Sequence, residues 1–345
     1  MPALTWAAVA ELGAGVEVVR SPDGAIEVEI ALDMGAPEYS VRRGGVEVIA
    51  PSRMGFVLSD GWPLTGYFEI ASVERDARDE TWTQPWGEQK EIRSNYNELR
   101  IALVQTLESK RQMTIVFRVF DDGVAFRYVF LEQAKLAELE IADEVTQFTF
   151  AGDARCWWIP AMDYLRYEYL YTESPISQIR RVHTPLTCQT SDGLCLSIHE
   201  AALVDFASMT LQSTAPNRLE AALVPWADGI KARVKTPFAT PWRTIQLADT
   251  PGELITSYLL LNLNEPNRLE DVSWIKPGKY VGVWWEMHLN LSTWGSGEKH
   301  GATTENVKRF IDFAHQYGFD GVLVEGWNEG WHDDWYANGD KFQFA

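Results

Sequence analysis

The chain has 345 residues, and its 49 acidic side chains outnumber 30 basic ones, giving a net charge of −19. Such an acidic surface repels phosphate backbones and the sequence holds no basic cluster, so nucleic acids and anionic membranes are not expected as partners. With 46% hydrophobic residues the composition is that of a folded globular protein. No apolar run approaches the roughly 20 residues that cross a bilayer, so no membrane span is expected.

The cysteines and the N-terminus bear on the compartment in which the protein works. The three cysteines, Cys156, Cys188 and Cys195, are too few for a disulfide framework and lie at no zinc-site spacing. They are predicted to be buried thiols, with at most one pair bridged. Residues 1–13 lack a basic start followed by an apolar core, so they do not resemble a signal peptide. Either export is absent or the leader is missing from this chain.

Residues 1–270 have the pattern of a large β-sandwich domain. Residues 25–32 alternate between apolar and polar side chains, and residues 113–120 do the same. Glycine-containing turns separate such segments, for example at residues 22–24, 121–123 and 227–229. Many short strands at this spacing, with few helical stretches, predict an all-β N-terminal domain.

The pattern changes in residues 271–345. An apolar strand is predicted at residues 280–285 and a second one at residues 319–324. Between them lies a helix that starts after Thr303 or Thr304 and ends at Gly318. Its apolar residues Val307, Phe310, Ile311 and Ala314 fall on one face. This βαβ unit is far shorter than the roughly 250 residues of a (β/α)8 TIM barrel, so it is predicted to be the start of an incomplete barrel. The alternative is that both strands pack onto the β-domain.

Three segments carry residues suited to binding or catalysis. The first, residues 80–98, is predicted to be an irregular stretch. Its tryptophans and carboxylates, including Trp86 and Glu88, would form a rim for a polar ligand, since tryptophan rings stack on sugar faces while polar groups take the hydroxyls. The alternative is an ordered loop held by tryptophan packing and by ion pairs of Arg93.

The second segment, residues 197–203, contains the adjacent pair His199 and Glu200. In a strand these side chains point to opposite faces, so they would not chelate one ion together. Glu200 alone is one carboxylate, whereas calcium takes six to eight oxygens. A buried, hydrogen-bonded glutamate is the alternative to a metal ligand.

The third segment, residues 324–331, follows the second barrel strand. Glu325 stands at the carboxyl end of that strand, where barrel enzymes place their active-site groups, and Trp327 and Asn328 supply a stacking and hydrogen-bonding wall. Trp284 and Trp285 occupy the same end of the first strand and are expected to face opposite ways. These residues predict a substrate-binding site.

Six segments, in the same order along the chain, resemble the motifs of glycoside hydrolase family 97. They are residues 81–98, 197–203, 240–244, 261–266, 300–306 and 322–328. The resemblance implies an N-terminal β-super-sandwich followed by a catalytic (β/α)8 barrel, and hydrolysis of α-glucosides or, in one branch, of α-galactosides. It also implies a Ca2+ ion bound by glutamates, one of them from the N-terminal domain, and that ligand maps onto Glu200.

The same resemblance assigns roles to the other candidates. Glu325 maps onto an acidic residue that binds sugar hydroxyls, and Trp327, Asn328, Trp86 and Glu88 are expected to contact the substrate. The general acid and the base or nucleophile are expected beyond residue 345, so this chain is expected to hold no catalytic residue and to be inactive by itself. The sequence at Glu325 resembles the inverting α-glucosidase branch.

The resulting hypothesis is a calcium-dependent, inverting glycosidase that removes terminal α-glucose from oligosaccharides. Two alternatives stay open, a retaining α-galactosidase of the same family and a silent carbohydrate-binding fragment. Family resemblance also implies a periplasmic or secreted protein.

Overall fold

The computed structural model describes residues 15–59, 61–164 and 166–325, and the backbone of two short strands at residues 328–329 and 343–344. The chain forms two compact units. One comprises Met1–Tyr167 with Tyr171–Asn267, and the other comprises Glu168–Leu170 with Arg268–Ala345.

The first unit consists almost entirely of strands. In chain order they are β1 (Glu17–Arg20), β2 (Ile26–Asp33), β3 (Ala36–Arg43), β4 (Val46–Arg53), β5 (Phe56–Leu58), β6 (Phe68–Thr83), β7 (Glu91–Gln105), β8 (Gln112–Phe120), β9 (Gly123–Phe130), β10 (Glu138–Glu144), β11 (Gln147–Phe150), β12 (Ala154–Trp158), β13 (Thr172–Pro175), β14 (Arg181–His183), β15 (Leu186–Thr190), β16 (Cys195–Ala201), β17 (Met209–Ala215), β18 (Arg218–Leu223), β19 (Ala232–Lys235), β20 (Phe238–Ala239) and β21 (Trp242–Ala248). The described residues of this unit also form two short 3-10 turns (Ala134–Leu136, Ile176–Gln178) and two short helices, α1 (Pro251–Thr256) and α2 (Leu259–Asn262).

These strands form a sandwich of two large antiparallel sheets. One has the order β1-β2-β3-β4-β11-β18-β17-β14, and the other has the order β13-β12-β15-β16-β21-β9-β8-β7-β6, with β20 beside β9. A third, small sheet has the order β19-β10-β5. The predicted all-β super-sandwich is therefore confirmed.

The core lies between the two large sheets because alternate residues of each strand face inward. Tyr39 from the first sheet packs on Phe126 of the second, with ring centroids 4.9 Å apart, and Phe117 lies 5.2 Å from Phe126. These rings and the aliphatic residues around them form one continuous buried cluster. Full burial of such a side chain contributes about 1.5–3 kcal/mol.

The second unit contains the predicted βαβ element. Its strands β22 (Tyr280–Val283) and β23 (Gly321–Val324) are parallel and are joined through α3 (Trp285–His288) and α4 (Thr304–Tyr317). Two short strands, β24 (Asn328–Glu329) and β25 (Gln343–Phe344), pair with each other. Helix α4 begins at the N-cap Thr303, whose side chain accepts a hydrogen bond from the Asn306 N–H, and ends at Gly318, whose φ is 70°.

Two details of this unit differ from the sequence prediction. The first strand ends at Val283, because Trp284 adopts φ −153° and ψ −51° and acts as the N-cap of α3. Trp284 and Trp285 therefore do not alternate along a strand. The predicted apolar face of α4 is also only partly covered, since Ala314 is buried whereas Ile311 is 50% exposed. The reason is the narrow sheet beneath it, which has two strands in the described residues.

Two of the three cysteines are bridged. Cys156 and Cys188 lie directly opposite each other on the neighbouring strands β12 and β15, and they form a buried disulfide. Cys195 is a buried free thiol, as predicted.

Among the described residues there is no helix long and apolar enough to cross a membrane.

Candidate functional site

Glu200 lies near the end of strand β16 of the ten-stranded sheet, with its side chain directed toward the eight-stranded sheet. The antiparallel register of β16 and β21 places it directly opposite Arg243. Its carboxylate is buried, with only 6% of the side chain exposed. This position explains why a charged residue is tolerated there, since a buried charge requires a partner of opposite sign.

Arg243 joins two carboxylates. Its Nη1 donates to Glu200 Oε2 over 2.6 Å. Its Nε and Nη2 donate to the two oxygens of Glu144, over 2.8 and 2.6 Å. The second oxygen of Glu200, Oε1, accepts a hydrogen bond from the Met209 N–H over 2.9 Å. Arg243, Glu144 and Glu200 therefore form a buried charged triad, and each oxygen of Glu200 has a fixed donor.

The triad carries an excess of one negative charge, since two carboxylates share one guanidinium. Burial raises the pKa of Glu200 above its ordinary value, although the charge of Arg243 and the Met209 N–H oppose this shift. Burial alone would lower the pKa of Arg243, but the charges and hydrogen bonds of Glu144 and then of Glu200 outweigh it and raise that pKa. Arg243 therefore stays cationic, and the site favours the approach of a further cation.

Residues from all three sheets fix the triad. Glu144 ends strand β10 of the small sheet, and its Oε1 also accepts a hydrogen bond from Thr146 Oγ1 over 2.8 Å. The Thr146 hydroxyl lies 2.7 Å from the Tyr128 hydroxyl of β9. Met209 begins β17 of the eight-stranded sheet. Because each contact restrains the next, the carboxylate of Glu200 is held in one orientation.

The family resemblance implies calcium, and Glu200 is compatible with a contribution to such a site. A carboxylate offers about four lone-pair positions, and Glu200 uses two of them for its protein donors. The surplus negative charge of the triad also suits a divalent ion. However, the described residues contain no group of three or more His, Cys, Asp or Glu side chains that would hold a metal. Within this part of the chain, Glu200 supplies one carboxylate.

Two histidines lie in the strands around Glu200. His199 Nδ1 is 2.9 Å from Thr184 Oγ1. His183 is buried beneath the ring of Tyr167, with centroids 4.1 Å apart, and neither of its ring nitrogens has a hydrogen-bond partner among the described residues. Partial burial and, as the smaller cause, the charge of Glu200 raise the pKa of Tyr167.

The expected rim at residues 80–98 is a regular hairpin. Strands β6 and β7 pair from Phe68 opposite Gln105 to Thr83 opposite Glu91, with one register shift between Ile70 and Ser72. The prediction of an irregular stretch was therefore wrong except for residues 84–90, which connect the two strands. Trp86 and Glu88 lie in the turn at its tip, where Trp86 is 44% exposed. Cross-strand contacts supply the order: Arg93 pairs with Asp79 over 2.8 Å, and this hydrogen bond lowers the pKa of Asp79.

The other predicted substrate residues belong to the second unit. Glu325 directly follows β23, as predicted, and it is exposed. Trp327 lies outside the described residues, and of Asn328 the structure describes only the backbone, which belongs to β24. The predicted grouping of Glu325 with Trp327 and Asn328 therefore lies outside the described residues, whereas Trp86 is in the hairpin turn and Glu200 is on β16.

The sequence analysis missed a second charged cluster, on the other face of the ten-stranded sheet. Arg118 lies over the rings of Tyr96 and Trp242, at 4.6 and 4.8 Å from their centroids, and Arg127 lies 4.3 Å from that of Trp242. Glu98 is buried and accepts from Arg118 Nε over 2.7 Å. Burial, together with the neighbouring Arg118, lowers the pKa of Arg127.

One sequence signal pointed toward both clusters. Strand β21, Trp242–Ala248, is buried at every position, yet it carries Arg243. A guanidinium in such a strand requires carboxylates nearby, and Trp242 before it must face the opposite side of the sheet. Which carboxylates those are depends on strand pairing, and the sequence does not show that Glu144 is one of them.

The asparagines at residues 261–266 secure the end of the first unit. Asn262 accepts a hydrogen bond from Trp82 Nε1 over 2.8 Å, which ties it to the long hairpin. Asn264 Oδ1 accepts one from the Ala202 N–H over 3.0 Å, two residues after Glu200. Ala202 has φ 53°, a left-handed conformation that costs energy for a residue other than glycine. This contact therefore stabilises the turn that follows Glu200.

Comparison with known proteins gives consistent results. The model for the N-terminal domain of glycosyl hydrolase family 97 matches residues 19–266, and the glycoside hydrolase 97 model matches residues 284–345. A family 97 enzyme from Pseudoalteromonas sp. strain K8, solved with panose and with acarbose, is 45% identical, with a TM-score of 0.81 over 95% of this chain and 50% of its own.

A curated relative is less similar in sequence. The retaining α-galactosidase of Bacteroides thetaiotaomicron is 26% identical over 90% of this chain and 50% of its own length. The chain thus spans about half the length of the relatives it matches. The family models together cover most of the chain, and the order of the sandwich and the βαβ unit agrees with them. The chain belongs to glycoside hydrolase family 97.

Proposed function

We propose that the protein containing this chain is a calcium-dependent glycosidase that removes terminal α-glucose from oligosaccharides with inversion. The observation that carries the proposal is the 45% identity to the Pseudoalteromonas enzyme, whose structures contain panose and acarbose. Panose is built of α-linked glucose. The curated α-galactosidase has only 26% identity over a similar part of the chain.

In this proposal the described residues bind and orient, while the bond-breaking groups belong to later barrel strands. Glu325 accepts hydrogen bonds from sugar hydroxyls at the carboxyl end of β23. Glu200 contributes one carboxylate to the calcium site, and Arg243 and the Met209 N–H hold it in place. The bound ion would supply electrophilic stabilisation of developing negative charge.

The reaction of the second candidate, a retaining α-galactosidase, differs in geometry. The relative from Bacteroides thetaiotaomicron bears that name, which is the observation in its favour. Retention requires two carboxyl groups about 5–5.5 Å apart, whereas inversion requires about 6.5–9.5 Å so that a water fits between them.

Substrate and stereochemistry are tested together on a protein that carries these residues with a complete barrel. We expect it to hydrolyse an aryl α-glucoside faster than the matching α-galactoside, with β-glucose as the first product seen by proton NMR. Faster galactoside cleavage with α-galactose appearing first would replace our proposal by the second candidate. Cleavage of neither would reject both.

The role of Glu325 gives a separate prediction. In the same protein, Glu325→Gln should lower kcat/KM at least about tenfold, because an amide replaces a charged acceptor of substrate hydroxyls, a change of about 1.4 kcal/mol. Its melting temperature should stay close to that of the parent, since Glu325 is exposed. Glu305→Gln, at an exposed position of α4, is the control. A collapse in melting temperature would assign Glu325 a structural role instead.

We also propose that the protein works in an oxidising compartment, as a periplasmic or secreted protein does. The buried Cys156–Cys188 disulfide supports this, because such bonds persist mainly outside the cytosol. In protein purified from its native host and denatured without reductant, thiol labelling followed by peptide mapping should modify Cys195 and leave Cys156 and Cys188 unmodified. Labelling of Cys156 and Cys188 as well would contradict the proposal.

A further inference from the structure

The first unit contains a cavity of about 500 Å3 that no family motif touches. It lies between residues 205–208 and the turn between β18 and β19. Asp205, Phe206, Ser208, Trp226, Lys231 and Arg233 are among its lining residues. Its volume is within the range of small-molecule sites, about 300–1,000 Å3.

Trp226 is the most unusual lining residue. Its side chain is 63% exposed, although tryptophan is usually largely buried. Its backbone is nevertheless fixed, because the Trp226 N–H donates to the Ile230 carbonyl over 2.8 Å and its carbonyl accepts from the Gly229 N–H over 2.9 Å. An exposed ring on a rigid turn has little conformational entropy to lose when a flat ligand stacks on it.

The opposite wall is also anchored. The Val224 N–H donates to the Ser208 carbonyl over 3.0 Å, which joins the two sides of the cavity. Phe206 packs toward the core, where its ring stacks 6.5 Å from that of Phe238. Both walls are therefore held in place before any ligand binds.

The charges around the cavity favour a neutral polar ligand. Arg233 already pairs with Asp228 and, over 3.1 Å, with Glu140, so its charge is compensated. Asp205 is exposed and offers a carboxylate acceptor, while Lys231 offers a donor. An indole face beside separate donors and acceptors suits a sugar, whose C–H faces stack and whose hydroxyls hydrogen-bond.

The geometry points to a second, non-catalytic carbohydrate-binding site at Trp226, with a neutral oligosaccharide as its ligand. The choice of α-linked glucose units rests on the proposed function. The site adjoins the loop of residues 202–208, which follows Glu200 and leads into Met209, the residue whose N–H holds Glu200. A chain bound at Trp226 is thereby kept beside that loop without contacting the triad.

The test uses this 345-residue chain and maltoheptaose, a linear α-1,4-linked glucan, in isothermal titration calorimetry. We expect saturable binding that Trp226→Ala weakens at least tenfold, whereas Trp226→Phe, which keeps a ring, retains most of it. Asp205→Asn should weaken binding less, because an amide still accepts a hydrogen bond. Circular dichroism spectra of all variants should match the parent, since the Trp226 ring is mostly exposed.

Two tryptophan controls separate this site from others. Trp62→Ala removes a ring that is 62% exposed and lies outside the cavity, and it should leave the affinity unchanged. Trp86→Ala removes the ring at the hairpin tip. The inference is overturned if the parent does not bind maltoheptaose, if Trp226→Ala binds equally well, or if Trp86→Ala alone abolishes binding. Hydrolysis of aryl glycosides is measured on a different protein, so this inference and the proposed function can fail separately.

Discussion

Replacing Arg243 with methionine is expected to destabilise the sandwich by about 3–5 kcal/mol, one of the largest effects that a single substitution would have in this chain. Methionine keeps an unbranched side chain, shorter than that of arginine, and removes the one cation between Glu144 and Glu200. Two buried carboxylates would then face each other without compensation. Urea unfolding followed by near-ultraviolet circular dichroism measures the loss.

Further variants test the reason for that loss. The triple variant Glu144→Gln, Arg243→Met, Glu200→Gln removes all three charges and should recover much of the stability, because no uncompensated charge remains. Arg155→Met breaks an exposed pair with Glu173 and should cost no more than about 1 kcal/mol. If Arg243→Met proved as mild as Arg155→Met, the triad would not be an important element of the fold.

Local patterns explain why much of this fold was predictable. Period-two alternation identified strands such as β2 and β8. Successive side chains of a strand point to opposite faces, so a strand with one face against the core has an apolar side chain at every second position. The N-cap Thr303 and the left-handed Gly318 bounded α4, because helix ends need such residues. Pairing across the sheet was not predictable in this way. Residues 80–98 hold many polar side chains, and only the register of β6 with β7 shows that they form a hairpin.

The candidate site was harder to predict than the fold, because its contacts join residues far apart in sequence. Glu200 was identified through a motif, but its environment depends on Glu144 and Arg243, which come from two other strands. The cavity at Trp226 combines a turn with a loop about twenty residues earlier and bears no motif. By contrast, Glu325 was placed correctly at the end of its strand, because that position follows from the βαβ pattern alone.

Replacing Glu200 with glutamine is expected to weaken calcium binding at least about tenfold to a hundredfold, in a protein that carries these residues with a complete barrel. Altering a residue that merely supports a metal ligand typically lowers metal affinity by this factor, and removing the charge of a ligand itself should lower it at least as far. Activity should fall with it and should partly return as calcium is raised. Calorimetry with calcium and hydrolysis at several calcium concentrations measure both.

Stability in the presence of a calcium chelator separates a metal ligand from a structural residue. Glutamine can accept from only one of the two donors, Met209 N–H or Arg243, so the calcium-free variant should lose about 1–3 kcal/mol. Adding calcium should then stabilise the parent much more than the variant, because a ligand stabilises the state that binds it.

Glu98→Gln is the matched control, since Glu98 is also buried between arginines but lies in the other cluster. The calcium affinity of the Glu98→Gln protein should equal that of the parent. If activity fell in Glu200→Gln while calcium affinity stayed at the parent value, Glu200 would be a structural member of the triad and the metal would have to bind through other residues.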